Sequence, residues 1–224
     1  MVIMSILGAL KHKARKLVLD YRASSNDYIA YLRSKGAKIG KNIQIYSPNK
    51  TMIDDTTPYM LTIGDDVLIT GPVTILTHDY SAHIPNVVKN SLLATIRPVT
   101  IGNNVFLGWG CTVLSGTVIG DNTVIGAGAV VSGRLEPNSV YAGNPAKRIM
   151  SIEEYYEKLK SRQLNDAAQM YQRLYDLHHR QPTEKEMWAY RNVFKSDINT
   201  NGTQTHIFDT YEDFVNYMQH ERKS

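Results

Sequence analysis

The sequence predicts a mainly β protein: a parallel β-solenoid with an N-terminal helix before it and a C-terminal α-helical extension after it. Three observations predict this. An aliphatic residue falls at every sixth position from Ile101 through Leu107, Val113, Ile119 and Ile125 to Val131. The residue after it is small in most copies, as in Gly102, Gly108, Gly120, Gly126 and Ser132, with Leu114 the exception. A second inward candidate follows four positions after each aliphatic: Val105, Cys111, Thr117, Thr123 and Ala129, then the larger Leu135. A period of six makes no stripe on an α-helix, because successive copies drift around its surface. One short strand and one turn per repeat, with three repeats to a triangular coil, stacks the aliphatics in columns inside a prism.

The first segment, residues 1–35, reads as one or two helices from residue 5, capped in the stretch Ser24 to Asp27. Its opening ten residues, MVIMSILGAL, are too few to span a bilayer, and the basic run KHKARK follows them rather than leading them. That order argues against a secretory signal. The net charge of +4 is concentrated in residues 1–35. No zinc-ligand cluster or basic stripe with interleaved aromatics accompanies it, so nucleic acid is not an expected partner. Two readings of the basic helix stand: it packs on its own protein, or it rests on an anionic membrane face, in contact with the inner membrane. Cys111 is the only cysteine, which leaves no internal disulfide and favours a reducing, cytoplasmic location.

The solenoid itself is expected over residues 36–150. Its rhythm begins around Ile39-Gly40 with Ile43 and Ile45, and continues at Ile63, Ile69 and Ile75. It then breaks. The next place on the frame is Ser81, and the frame returns only at Val99 and Ile101. The residues between, THDYSAHIPNVVKNSLLATIRP, read as an extended loop over 77–98, and a loop of that length in a compact domain is usually functional. His78 lies at its root. An imidazole there suits proton transfer near neutral pH, while the plain alternative is a satisfied histidine at a turn.

After the coils, SIEEYYEKLKSRQLNDAAQMYQRLYDLHHR carries a Ser-x-x-Glu capping pattern and apolar or aromatic residues at helical spacing. A further helix is expected at PTEKEMWAYRNVF, a polar turn at NTNGTQT and a last helix at TYEDFVNYMQ. The aromatic stripe of residues 151–224 reads as packing, which could cover an end of the solenoid and knit an oligomer.

The run VTIGNNVFLGWGCTVLSGTVIGDNTVIGAGAVVSGRLEPNSVYAGNPAKRI resembles the last coils and closing segment of the hexapeptide-repeat acyltransferases. More narrowly, SPNKTMIDDTTPYMLTIGDDVLITGPVTILTHDYS, with SIEEYYEKLK after the coils, is similar to a branch assigned to capsule and lipopolysaccharide O-acetylation. The resemblance implies a left-handed parallel β-helix, a homotrimer with sites between subunits, acetyl-CoA as co-substrate and a saccharide acceptor. It makes His78 the catalytic base. Asp79 is the nearest carboxylate to orient the imidazole, with Asp54 and Asp55 as rivals; neighbours on an extended strand point to opposite faces, and the alternative is that Asp79 binds acceptor or braces the loop. Asp54, Asp55, Tyr80 and Phe106 are candidates for the acceptor.

By the same resemblance Lys147 and Arg148 reach the phosphates of coenzyme A. Ala127, with Gly126 and Gly128 beside it, lacks bulk and leaves room for its pantetheine arm, and Gly108 is a further cofactor-binding candidate. Trp109, which the frame points outward, lines a groove or fills a subunit interface. The same fold carries zinc in γ-class carbonic anhydrases through three histidines. Here His78 and His83 have no third partner, since no histidine lies between His12 and His78, and the adjacent His178 and His179 diverge on a helix. No metal is expected. The resulting expectation is an acetyl-CoA-dependent saccharide O-acetyltransferase. The alternatives are an N-acetyltransferase of amino nucleotide sugars and a non-catalytic β-helix scaffold.

Overall fold

In the computed structural model, which describes residues 2–194 and 207–221, the six-residue period becomes stacked coils. The expected polar turn at residues 199–205 lies outside the described residues. The chain divides into two compact units, Met1–Glu154 and Tyr155–Ser224.

Helices α1 (Val2–Leu19) and α2 (Ser25–Ser34) come first. Ser24 caps α2, its hydroxyl accepting from the Asp27 N–H, as its place in the sequence suggests. The coils follow: β1 Lys38–Ile39, β2 Gln44–Ile45 and β3 Met52–Ile53; β4 Leu61–Ile63, β5 Leu68–Ile69 and β6 Thr74–Ile75; β7 Val99–Ile101, β8 Phe106–Leu107 and β9 Thr112–Val113; β10 Val118–Ile119, β11 Thr123–Ile125 and β12 Val130–Val131; β13 Arg134–Leu135 and β14 Ser139–Gly143. They form three parallel sheets in the arrangement typical of a left-handed β-helix: β1-β4-β7-β10-β13, β2-β5-β8-β11-β14 and β3-β6-β9-β12. A last strand, β15 (Ala146–Ser151), turns back antiparallel on β14.

Register makes the aliphatics into columns. Ile39, Ile63, Ile101, Ile119 and Leu135 stack in the first sheet, and Ile53, Ile75, Val113 and Val131 in the third. The residues predicted inward four positions later, including Cys111, Thr117 and Thr123, are buried as well. Each buried aliphatic side chain contributes about 1.5–3 kcal/mol, and in short strands this burial outweighs backbone propensity.

One stabilising device escapes the hydrophobic pattern. Asn42, Asp66, Asn104, Asn122 and Asn138 all have positive φ at one corner of the prism. Their side chains bond from coil to coil: Asn42 Nδ2 donates to Asp66 Oδ1 at 2.9 Å, Asn104 to Asn122 at 2.9 Å and Asn122 to Asn138 at 2.8 Å. Asn and Asp are the side-chain-bearing residues that adopt this conformation most readily, and here the same amide closes a ladder.

A solenoid needs its first edge covered. Helix α2 does so with Tyr28, Ile29 and Leu32 in the same core as Ile43, Ile45 and Ile53. Its side chains also take unpaired edge donors: Ser25 Oγ accepts from Ile45 N–H at 2.9 Å and Tyr28 Oη from Ile53 N–H at 3.0 Å.

The structure differs from expectation in three places. The segment over 77–98 is not extended throughout but contains helix α3 (His83–Lys89), where Ile84, Val87 and Val88 follow helical spacing and Pro85 sits in the first turn. The expected long helix from Ser151 is two helices, α4 (Ile152–Lys160) and α5 (Gln163–His178). The chain turns at Ser161 and Arg162 between them, and α4 buries none of its residues, so no packed face carries the first helix on into the second. Instead of a helix from Pro182, the chain makes turns and a short α6 (Arg191–Phe194), because Met187, Val193 and Phe194 all reach one core. With Tyr171, and with Phe214 and Met218 of α7 (Tyr211–Glu221), they make the aromatic stripe a packed interior.

Candidate active site

The pairing of β3 with β6 decides which side chains meet. Met52 lies against Thr74 and Ile53 against Ile75, so Asp54, just past β3, comes under the chain leaving β6 at Thr77 and His78. The loop begins there and is tied at its root. Asp79 N–H donates to Thr95 O at 3.0 Å, Arg97 N–H donates to Thr77 O at 3.0 Å, and His78 bridges Ile96 antiparallel.

Asp54 is the centre of this arrangement, with its side chain only 2% exposed. Oδ1 accepts from Thr56 N–H at 3.0 Å and Thr56 Oγ1 at 2.6 Å. Oδ2 accepts from Thr77 N–H at 3.1 Å and Thr77 Oγ1 at 2.6 Å, and it pairs with His78 Nδ1. Burial pushes the Asp54 carboxyl upward, but the hydrogen bonds from Thr56, Thr77 and His78 outweigh it and hold the group well below the usual carboxylate range. Asp54 is therefore ionised near neutral pH. An ionised acceptor at Nδ1 keeps the proton on that nitrogen and leaves the lone pair on Nε2. The pair is able to take a proton at Nε2 and hold the resulting imidazolium against a fixed negative charge.

Two cavities meet at His78. One, of about 430 Å³, is lined by Thr56, Tyr80, His83, Asn86 and Leu93 among others. The other, of about 650 Å³, runs past Arg97, Leu114, Gly116 and Gly133. Tyr80 sets its ring edge-on to the imidazole, with centroids 4.7 Å apart. His83 shares the first cavity with His78, and among the described residues no three metal-ligating side chains cluster.

Asp79 does not orient the imidazole. Its carboxylate accepts from Ser81 N–H at 2.7 Å and Ser81 Oγ at 2.9 Å, which engages both oxygens and holds its pKa below the ordinary value. Asp55 is exposed beside Asp54 and accepts from Tyr21 Oη at 3.3 Å. Sequence reasoning missed Thr56, Thr57 and Thr77. Their signal was the run IDDTT on one coil and LTHD on the next, read together only once the coils are stacked.

The other candidates lie elsewhere on the chain. Gly108 stacks on Gly126 and Ala127, where a Cβ would come 2.6 Å from Ile125 O and 2.7 Å from Ala127 N. Gly126 stacks in turn on Ala142, and Ala142 pairs with Lys147. Gly108, Trp109, Gly126, Ala127 and Lys147 thus follow one edge of the prism, between the second and third sheets. Close stacking explains Gly108 and Gly126 without any ligand. Trp109 is 55% exposed, outward as the frame predicts. Lys147 and Arg148 are exposed on β15 rather than on a loop, and Arg148 Nε donates to Ser139 Oγ at 2.9 Å. Phe106 lies against Leu68 and Val124 on the second sheet and lines neither cavity. Within one chain the width of the third sheet, roughly 16 Å of extended chain, separates this edge from that of His78.

Residues 98–133 match the family described as Bacterial transferase hexapeptide (six repeats). Galactoside O-acetyltransferase of Escherichia coli (strain K12) is 40% identical over 124 residues, 54% of this chain and 58% of that protein. Protein CapG of Staphylococcus aureus is 37% identical over 128 residues, 57% of this chain and 73% of that protein. A solved structure of galactoside acetyltransferase in complex with coenzyme A aligns at a TM-score of 0.43 and 29% identity, over 64% of this chain and 80% of that one. The chain spans about half the length of the first curated relatives it matches: 58%, 44% and 49% of them.

Proposed function

This chain belongs to the hexapeptide-repeat acetyltransferase family, and on that premise we propose that it moves acetyl from acetyl-CoA to a hydroxyl of a saccharide, a surface polysaccharide or its precursor. The observation that carries the reading is the His78–Asp54 pair at the meeting of two cavities.

A sugar hydroxyl is a poor nucleophile at neutral pH. His78 Nε2 takes its proton as the new C–O bond forms, and the imidazolium that results faces the Asp54 carboxylate. The same nitrogen then returns the proton to the departing thiolate, so the base is restored. A backbone N–H of a neighbouring coil turn supplies the oxyanion donor, since solenoid turns are rigid and pre-placed. Lys147 holds donor phosphate, with Arg148 beside it.

The two half-sites lie on different edges of one prism, so the working unit is a homotrimer that sets the donor edge of one copy against the His78 edge of the next. Ile84, Val87, Val88 and Leu92, exposed on the loop, are the surface for that contact. Tyr80 and Asp55 border the acceptor.

The test is transfer of radiolabelled acetyl from acetyl-CoA to an oligosaccharide panel, followed by mild alkali. Label released by alkali is an oxygen ester and supports the reading. Alkali-stable label on an amino sugar would replace it with N-acetylation. Failure to bind acetyl-CoA at all would leave a scaffold.

A further inference from the structure

We infer that α1 is a membrane-surface helix, which holds the protein to an anionic lipid face. This stands on the helix alone and does not depend on the reaction. In the sequence, Ile3, Ile6, Leu7, Leu10, Ala14, Leu17 and Val18 follow one another at steps of three and four, the spacing of a single apolar stripe. The opposite side of α1 is tied to its own chain: His12 Nε2 lies 3.3 Å and Lys16 Nζ 2.9 Å from the Asp27 carboxylate of α2. At His12 and Lys16 the polar side therefore faces the protein, while Leu10, Leu17 and Val18 of the stripe face away from it. Leu10 is 58% exposed, Leu17 90% and Val18 83%. This reverses the simpler expectation, in which the apolar side packs inward and the lysines go to water.

Charge selects the occupant. Helix α1 contains no acidic residue. On its helical wheel Lys11 and Arg15 border the stripe on one side and Lys13 on the other, and among the described residues no carboxylate pairs with these three. An apolar stripe edged on both sides by cations fits a lipid interface, with acyl chains under the stripe and anionic headgroups at the lysine tips. A second copy of the chain would present the same positive border and repel it. At eighteen residues the helix is about 27 Å long. No helix among the described residues is long and apolar enough to cross a membrane, so α1 lies on the surface.

The experiment is co-sedimentation of the full chain with vesicles of phosphatidylcholine alone, and of phosphatidylcholine and phosphatidylglycerol at about two to one. Binding to the anionic vesicles is expected, weakening as salt rises. Lys11→Gln/Lys13→Gln/Arg15→Gln should weaken it on the order of a hundredfold, and Leu17→Ser/Val18→Ser by about tenfold or more. Circular dichroism of both variants should match the wild type, because the changed side chains are exposed. Equal binding to neutral vesicles, or none to either kind, overturns the inference. So does a loss of oligomer mass by light scattering in Leu17→Ser/Val18→Ser, which would make the stripe a subunit contact.

Discussion

Asp54→Asn removes one charge and almost no volume, which makes it the sharpest probe of the site. The carboxylate accepts five hydrogen bonds, two at Oδ1 and three at Oδ2. However the new amide turns, its NH2 meets a backbone N–H, either that of Thr56 or that of Thr77. An N–H left without an acceptor costs about 1–3 kcal/mol. For a protein of this size that lowers Tm by roughly 5 °C. The catalytic loss is larger. At about 4 Å and an effective dielectric near 20, a carboxylate stabilises a facing imidazolium by about 4 kcal/mol. Removing it slows the proton-transfer step on the order of a thousandfold. Thiol release with a saccharide acceptor gives kcat, and calorimetric titration with acetyl-CoA should give an unchanged Kd. Acid adds a second signature. Because the folded Asp54 carboxyl lies below its unfolded value, its stabilisation is complete above the ordinary carboxylate range and is lost as pH falls toward the folded value. The wild type should therefore lose stability below about pH 4 more steeply than Asp54→Asn. A variant with kcat within tenfold of wild type and the same acid slope would refute the pairing as the source of function.

Asp79→Asn should keep kcat within a few-fold and leave the pH–rate profile unchanged, since Asp79 holds Ser81 and not the imidazole; a thousandfold loss with a shifted profile would return it to the reaction. Asn122→Ala places alanine at φ 53° and breaks two links of the corner ladder. It should cost about 2–4 kcal/mol in denaturant unfolding, and Asn122→Gly should recover about 1 kcal/mol of that. The buried Cys111 thiol is pushed up to about 12 by desolvation, so it should not react with Ellman's reagent at about pH 8. Full denaturation should release one thiol per chain, and fast reaction of the native protein would contradict its burial.

Most of the fold was legible because a solenoid repeats one local rule. Each aliphatic at the sixth position faces the same interior, so a one-dimensional pattern fixes a three-dimensional column. The loop was legible as a break at Ser81, and His78 as the residue at the break. Asp54 was only a rival, because its partnership with His78 spans 24 positions and depends on how much chain is inserted between coils. Here Met52 stacks on Thr74, 22 positions on, whereas a pair of uninterrupted coils, such as Thr112 on Val130, differs by 18. That offset is set by the turns at residues 54–60, and periodicity carries no information about them. The corner ladder was hidden for a different reason: a hydrophobic frame is blind to Asn and Asp, even though Gly102-Asn103-Asn104 and Gly120-Asp121-Asn122 repeat it in plain view.

The central claim, that His78 is the base of an acetyl transfer, is tested most directly by His78→Ala measured in two ways on one preparation. Calorimetry should give acetyl-CoA binding equal to wild type, and the radiolabel assay should give no alkali-labile acetyl on the saccharide. Normal donor binding with turnover near the wild-type rate would contradict the account.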